Sequence, residues 1–173
     1  MLTLPTVIER GMTVVLGLPQ SDPILELIVR LALQRPVQVI VGGNRFDTHR
    51  MARMMRRHSV ALDAMLGRIR QARPFTCYQM VTLLAETEPS TPLVVLDMLS
   101  TFYDESVSDA ESVRLVQAAT GHLQRLGRQV PVLVTLRPLA EGMRPGLVEM
   151  VQAAADDVYL YRTPGGPVQL PLL

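Results

Sequence analysis

Asp97 ends an apolar run, Leu93-Val94-Val95-Leu96. A carboxylate at the exit of a buried strand can hold a divalent cation, and that cation can hold phosphate oxygens. Such chemistry also calls for a glycine-rich loop whose N–H groups cradle the phosphates, and for a lysine ammonium against them. The chain has no lysine: all 17 basic residues are arginine. After its first apolar run it reads Gly17-Leu18-Pro19-Gln20-Ser21-Asp22-Pro23-Ile24. Only the first of these is glycine, and Pro19 and Pro23 remove two N–H donors. Asp22-Pro23 reads as a helix N-cap followed by proline at the first helical position. A capping carboxylate occupies the N–H groups a phosphate wants and repels its charge. The missing ammonium alone forgoes about 4 kcal/mol of Coulomb energy at an effective dielectric of roughly 20. The segment is read as a structural turn, so neither ATP nor Mg²⁺ is expected as a cofactor.

Other reactive side chains are sparse. Cys77, the single cysteine, lies in an apolar context with no histidine at a motif spacing, so a buried, inert thiol is expected. His49, His58 and His122 do not have the spacing of a metal set. The segment 47–58 puts Arg50, Arg53 and Arg57 on one helical face, with Arg56 beside them, and Met51, Met54 and Met55 on another. Two readings of the arginine face stay open: a track for a phosphate backbone, or a solvated or protein-docking face. Phe46 and Phe75 are the aromatics near it.

These residues need a scaffold. Met12–Leu16, Val37–Val41, Leu93–Leu96 and Val130–Thr135 are nearly continuous apolar runs rich in β-branched residues, as in a sheet covered on both faces. Helical patterns separate them at 23–34, 47–58, 59–72, 78–86, 110–126 and 144–155. The 110–126 helix is expected to turn Val113, Val116, Leu123 and Leu126 inward. The alternation predicts one α/β domain over 1–173: three α-β-α layers around a mainly parallel sheet. Val158–Tyr161 and Val168–Leu170 flank a Gly165-Gly166 turn and predict a terminal hairpin over 158–172.

Composition sets limits. Apolar residues are 48% and charged residues 19% of 173, enough for a real core. No apolar run spans a membrane, no signal peptide is evident, and the lone cysteine suits a reducing compartment, so the cytoplasm is expected. The net charge of +1 hides segregation. Residues 45–73 hold eight arginines and two acids, a net +6, and 86–111 hold seven acids and no arginine, −7. A domain polarised this way can associate head to tail or dock on a complementary partner; two ordinary solvated faces are the plainer alternative.

The order of segments resembles the RecA–RadA recombinase family, the RecA-type ATPase core, over about residues 8–172. Ile8-Glu9-Arg10-Gly11-Met12-Thr13 resembles the approach to its first strand. Val39–Phe46 resembles the strand and loop where the family writes Asp-Thr-Glu-x-x-Phe, and Arg73-Pro74-Phe75 through Met80 its arginine-alanine-phenylalanine stretch. Leu93–Phe102 resembles the Walker B strand, with Walker-B-like residues 93–97. Val132–Thr135 resembles the strand ending in Thr-Asn-Gln, and 165–172 the closing hairpin. The resemblance implies a RecA-like three-layer fold whose chemistry has been lost. With Gly17 as the first loop glycine, the last glycine becomes Asp22, the lysine Pro23 and the Mg²⁺-binding hydroxyl Ile24, so the strand-turn-helix at 12–34 replaces the P-loop. The water-activating glutamate falls on Gly43, which has no proton acceptor, and the sensor Asn-Gln on Leu136-Arg137. Asp97 alone remains, as a vestigial nucleotide-site carboxylate, expected to bond the first-strand loop.

No catalytic residue and no metal ligand is therefore assigned. The expected function is a non-catalytic, recombinase-paralogue-like subunit acting in protein assembly, in DNA repair or recombination. Its expected partners are a recombinase-type protein or a second copy, with DNA reached directly or through that partner and no membrane. One alternative is a nucleotide-binding regulator or weak ATPase, with Arg10 or Arg30 standing in for the lysine. Another is a DNA-binding module using 45–73, with Arg50, Arg53, Arg56 and Arg57 as contacts. The family's two DNA-binding loops correspond here to a short segment with Arg137 and Arg144 and to the acidic 103–109, poor for contacting phosphates.

Overall fold

A computed structural model describes residues 9–17, 22–43, 46–58, 61–137, 144 and 146–161. Six strands form one sheet: β1 (Gly11–Leu16), β2 (Val37–Val41), β3 (Ile69–Ala72), β4 (Leu93–Leu96), β5 (Pro131–Leu136) and β6 (Asp157–Leu160). Their order is β3-β2-β4-β5-β1-β6, and every neighbouring pair is parallel. The helices are α1 (Asp22–Gln34), α2 (Thr48–His58), α3 (Leu62–Leu66), α4 (Cys77–Glu86), α5 (Asp109–Gly127) and α6 (Leu147–Ala153), with a 3₁₀ turn at Met98–Tyr103.

The strand side chains alternate between two cores. Val15, Val39, Val41, Val94, Leu96 and Leu133 pack with α1, α2 and α3, whereas Met12, Val14, Ile40, Leu93, Val95, Val132 and Val134 pack with α4, α5 and α6. Burial on both faces explains the unbroken apolar runs. The parallel α/β sheet between two helical layers is the expected architecture. No helix among the described residues is long and apolar enough to cross a membrane.

Two local expectations are corrected, and two others lie partly outside the described residues. The helix read over 59–72 is α3 followed by β3. Gly67 and Arg68 form the turn between them, and Ile69-Arg70-Gln71-Ala72 is an edge strand with its two central residues exposed. An edge strand needs no continuous apolar run, so that pattern passes for a helical one. Val113 is exposed, because α5 buries Ser112, Leu115, Val116, Ala119, Leu123 and Leu126, a stripe with Val113 at its margin. The first arm of the expected hairpin is β6, which pairs parallel with β1; its second arm lies outside the described residues. Asp22 falls inside the first turn of α1, and the capping expected of its side chain also lies outside the described residues.

Candidate functional site

The connections leaving β1 and β2 run to the α1–α3 layer, and those leaving β4 and β5 run to the α4–α6 layer. In an open α/β sheet a ligand crevice lies outside the carboxyl ends of strands where this direction changes. Here that is the rim formed by β2, β4, β5 and β1. The rim carries Gly42 and Gly43 after β2, Asp97 after β4, Thr135 and Arg137 at the end of β5, and Gly17 after β1.

Asp97 is the only non-glycine residue with positive φ among the described residues, at φ 52° and ψ 50°. Asp tolerates this left-handed region better than most residues, at a cost that its surroundings must offset. The Asp97 amide donates to Thr135 Oγ1 at 2.9 Å. Its carboxylate is buried and forms an ion pair through Oδ2 with Arg137 Nη2; the Arg137 side chain keeps 39% of its exposure. Among the described residues Asp97 thus bonds to β5, which lies between β4 and β1 in the sheet, and to Arg137 just beyond it; the first-strand loop expected to bond it lies outside the described residues after Gly17. Burial, followed by the charges of Asp97 and Glu149, holds the adjacent Tyr103 phenol above its ordinary pKa.

The two glycines are explained by this pair. A Cβ on Gly42 would strike the Asp97 carbonyl oxygen, with the carbonyl carbon 3.1 Å away. A Cβ on Gly43 would collide with Asp97 Oδ2 and lie 2.8 Å from Arg137 Nη2. The position matched to the water-activating glutamate therefore lacks both an acceptor and room for one. On the opposite flank, Gly17 is left-handed at φ 73° and its amide donates to Leu136 O at 3.0 Å, so one loop donor is already used by β5. These residues do not fit a magnesium–triphosphate group: the one carboxylate is neutralised by an internal guanidinium, and no described ammonium or second carboxylate faces it. Among the described residues no three His, Cys, Asp or Glu side chains come together as a metal set.

The two arginines suggested as stand-ins lie elsewhere. Arg10 precedes β1, about 20 Å along the strand from the rim, and borders a polar hollow with Gln124, Arg128 and Asp156. Arg30 pairs with Glu26 across one turn of α1 at 2.6 Å.

Arg144 was legible only as a charge. Its Nε meets Asp109 Oδ1 at 2.9 Å, Nη1 donates to Phe102 O at 3.1 Å and to Ser112 Oγ, and Nη2 donates to Asp104 O at 3.2 Å and to Val107 O. All five guanidinium N–H groups are engaged, which ties the acidic loop to the start of α5. Arg137 and Arg144, the cations matched to a DNA-binding loop, are thus both engaged internally.

The α2 arginines behave differently. Met51 and Met55 are buried and Met54 half-buried, while Arg50, Arg53, Arg56 and Arg57 are all exposed. Arg53, Arg56 and Arg57 have no carboxylate partner among the described residues. Cys77 is buried in the α4–α5 core, and burial pushes its thiol pKa up, as expected for an inert thiol. No protein-family model matches the chain, and no curated protein sequence matches it.

Proposed function

We propose that this chain is a non-catalytic subunit of RecA-like architecture that serves as a protein-assembly or binding component in DNA repair or recombination. The assignment to that family and pathway rests on the segment resemblance. Fold alone fixes no function, so the site must carry the argument.

The observation that carries it is the occupation of the Gly43 position by the Asp97–Arg137 pair. A hydrolytic site needs a proton acceptor aimed at water and cations aimed at developing negative charge. Here the single carboxylate faces a guanidinium from its own chain, and the absence of lysine removes the phosphate-binding ammonium. The parallel sheet, with Asp97 and the first-strand exit on one rim, is what remains of the expected design. Such a scaffold is useful as a surface.

Affinity purification of the tagged chain from native lysate, with partners identified by mass spectrometry and mass by light scattering, tests this reading. A stoichiometric recombinase-type protein is the expected companion. A lone monomer without any such companion overturns it.

A further inference from the structure

The charge segregation read from the sequence is not symmetric in the fold. Within the acidic stretch, Asp97 is paired with Arg137, Asp109 with Arg144 and Glu111 with Arg114. Asp104 accepts from the Ser106 amide at 2.9 Å and from its hydroxyl at 2.7 Å. Three of the seven acids are thus ion-paired within the chain, while Glu86, Glu88, Asp104 and Glu105 have no ion pair among the described residues. Within the basic stretch, Arg53, Arg56 and Arg57 on α2 and Arg70 on β3 have no ion pair among the described residues. Unpaired charge of both signs therefore remains, and charge alone does not choose between a second copy's acidic loop and an external polyanion; the aromatic rings beside the arginines do.

We infer that this surface, from the outer face of α2 around the β3 edge to Phe75, binds single-stranded nucleic acid. Arg53 and Arg57 lie one turn apart on α2, with Arg56 beside them. β3 is the last strand of the sheet, so its outer edge is uncovered among the described residues. Ile69 packs toward the α2 side. Alternation therefore sends Arg70 and Ala72 to the other face, where Ala72 lines an apolar groove of about 460 Å³ with Arg73, Phe75, Tyr78, Thr82 and Leu83. Phe75 is 76% exposed, with the Arg73 guanidinium 5.8 Å from its ring centroid, and Tyr78 is 49% exposed. A basic row leading to exposed aromatic rings matches a phosphodiester chain whose bases are free to stack; an acidic protein needs no ring face, and a duplex offers none. Glu86 lines the groove, and burial followed by the Glu111 charge raises the Tyr78 phenol pKa, so Phe75 is the stacking platform and the groove's far end is not a phosphate site.

This surface lies away from the rim that carries the proposed function, so each can fail without the other. The test is fluorescence anisotropy with labelled oligo-dT, oligo-U and a blunt duplex over a range of KCl concentrations. Single strands are expected to bind more tightly than the duplex, with affinity falling as salt rises. Arg53→Ala with Arg57→Ala should lower the log–log salt slope by about 1.4, from ~0.7 per phosphate contact. Phe75→Ala should weaken binding at least about fivefold with the slope unchanged, and Phe75→Tyr should restore it. All three positions are exposed, and a circular-dichroism melt confirms that each variant is folded. No salt-dependent binding at 50 mM KCl, an unchanged slope, or equal binding of the duplex would overturn the inference. It is likewise overturned if the variants abolish association with a protein, read by light scattering, while nucleic-acid binding is unaltered.

Discussion

Arg144 shows why arginine cannot be exchanged for lysine at several positions in this chain. Its planar fork serves a carboxylate, a hydroxyl and three carbonyls at once. Arg68 spans the last carbonyls of α1, at Ala32 and Leu33, and Arg125 does the same for α4 at Leu84, Ala85 and Thr87. Cations at helix C-termini satisfy orphan carbonyls and oppose the helix dipole. An ammonium has three donors without fixed planarity. Arg144→Lys is therefore expected to cost about 1–3 kcal/mol in urea unfolding, with loosening at 103–109 seen as faster amide exchange. At the same loop, hydrogen bonds from Ser106, then the charge of Arg144, hold Asp104 below its ordinary pKa, and Arg114 does the same for Glu111. Groups with depressed folded pKa values stabilise the protein above their unfolded pKa, near 4, and lose that contribution as pH falls through the folded values. The stability–pH curve of Asp104→Asn should therefore lie below the parent at neutral pH and converge with it in acid. Convergence at high pH would contradict the assignment.

At the scale of elements, the exit of β2 is the most constrained point. Gly42 approaches the Asp97 carbonyl, which is backbone and cannot swing aside, whereas Gly43 faces side-chain ends that can. Gly42→Ala is expected to cost about 2–4 kcal/mol in denaturant unfolding and Gly43→Ala distinctly less. Equal costs would mean that the Asp97–Arg137 pair is as rigid as the backbone. Four strands and most helices were legible as elements because both faces of the sheet are buried and the apolar runs are unbroken. The edge strand β3 was not, since Arg70 and Gln71 point to solvent and its pairing is set by tertiary context. The caps were readable in principle: Ser108-x-x-Glu111 and Thr76-x-x-Gln79 have the capping-box pattern, and both hydroxyls accept from the third following amide. The ion pair across the rim was not readable, because 40 residues separate Asp97 from Arg137 and only the β4–β5 pairing brings them together.

For the whole molecule, the rim and the α2–β3 surface follow one pattern. Where the resemblance places chemistry, the chain supplies its own counter-ion; where the sequence places excess arginine, Arg53, Arg56, Arg57 and Arg70 have none among the described residues. Asp97 was singled out from sequence and does sit at the strand-end crevice, but the closing of that crevice by Arg137 required the fold. The central claim, that this rim does not accept a magnesium–triphosphate group, is tested most directly by titrating the purified chain with a fluorescent ATP analogue, with and without Mg²⁺. The account predicts no Mg²⁺-dependent binding at micromolar concentration, for the parent chain and for Asp97→Asn alike. Micromolar, Mg²⁺-dependent binding that disappears in Asp97→Asn would contradict it.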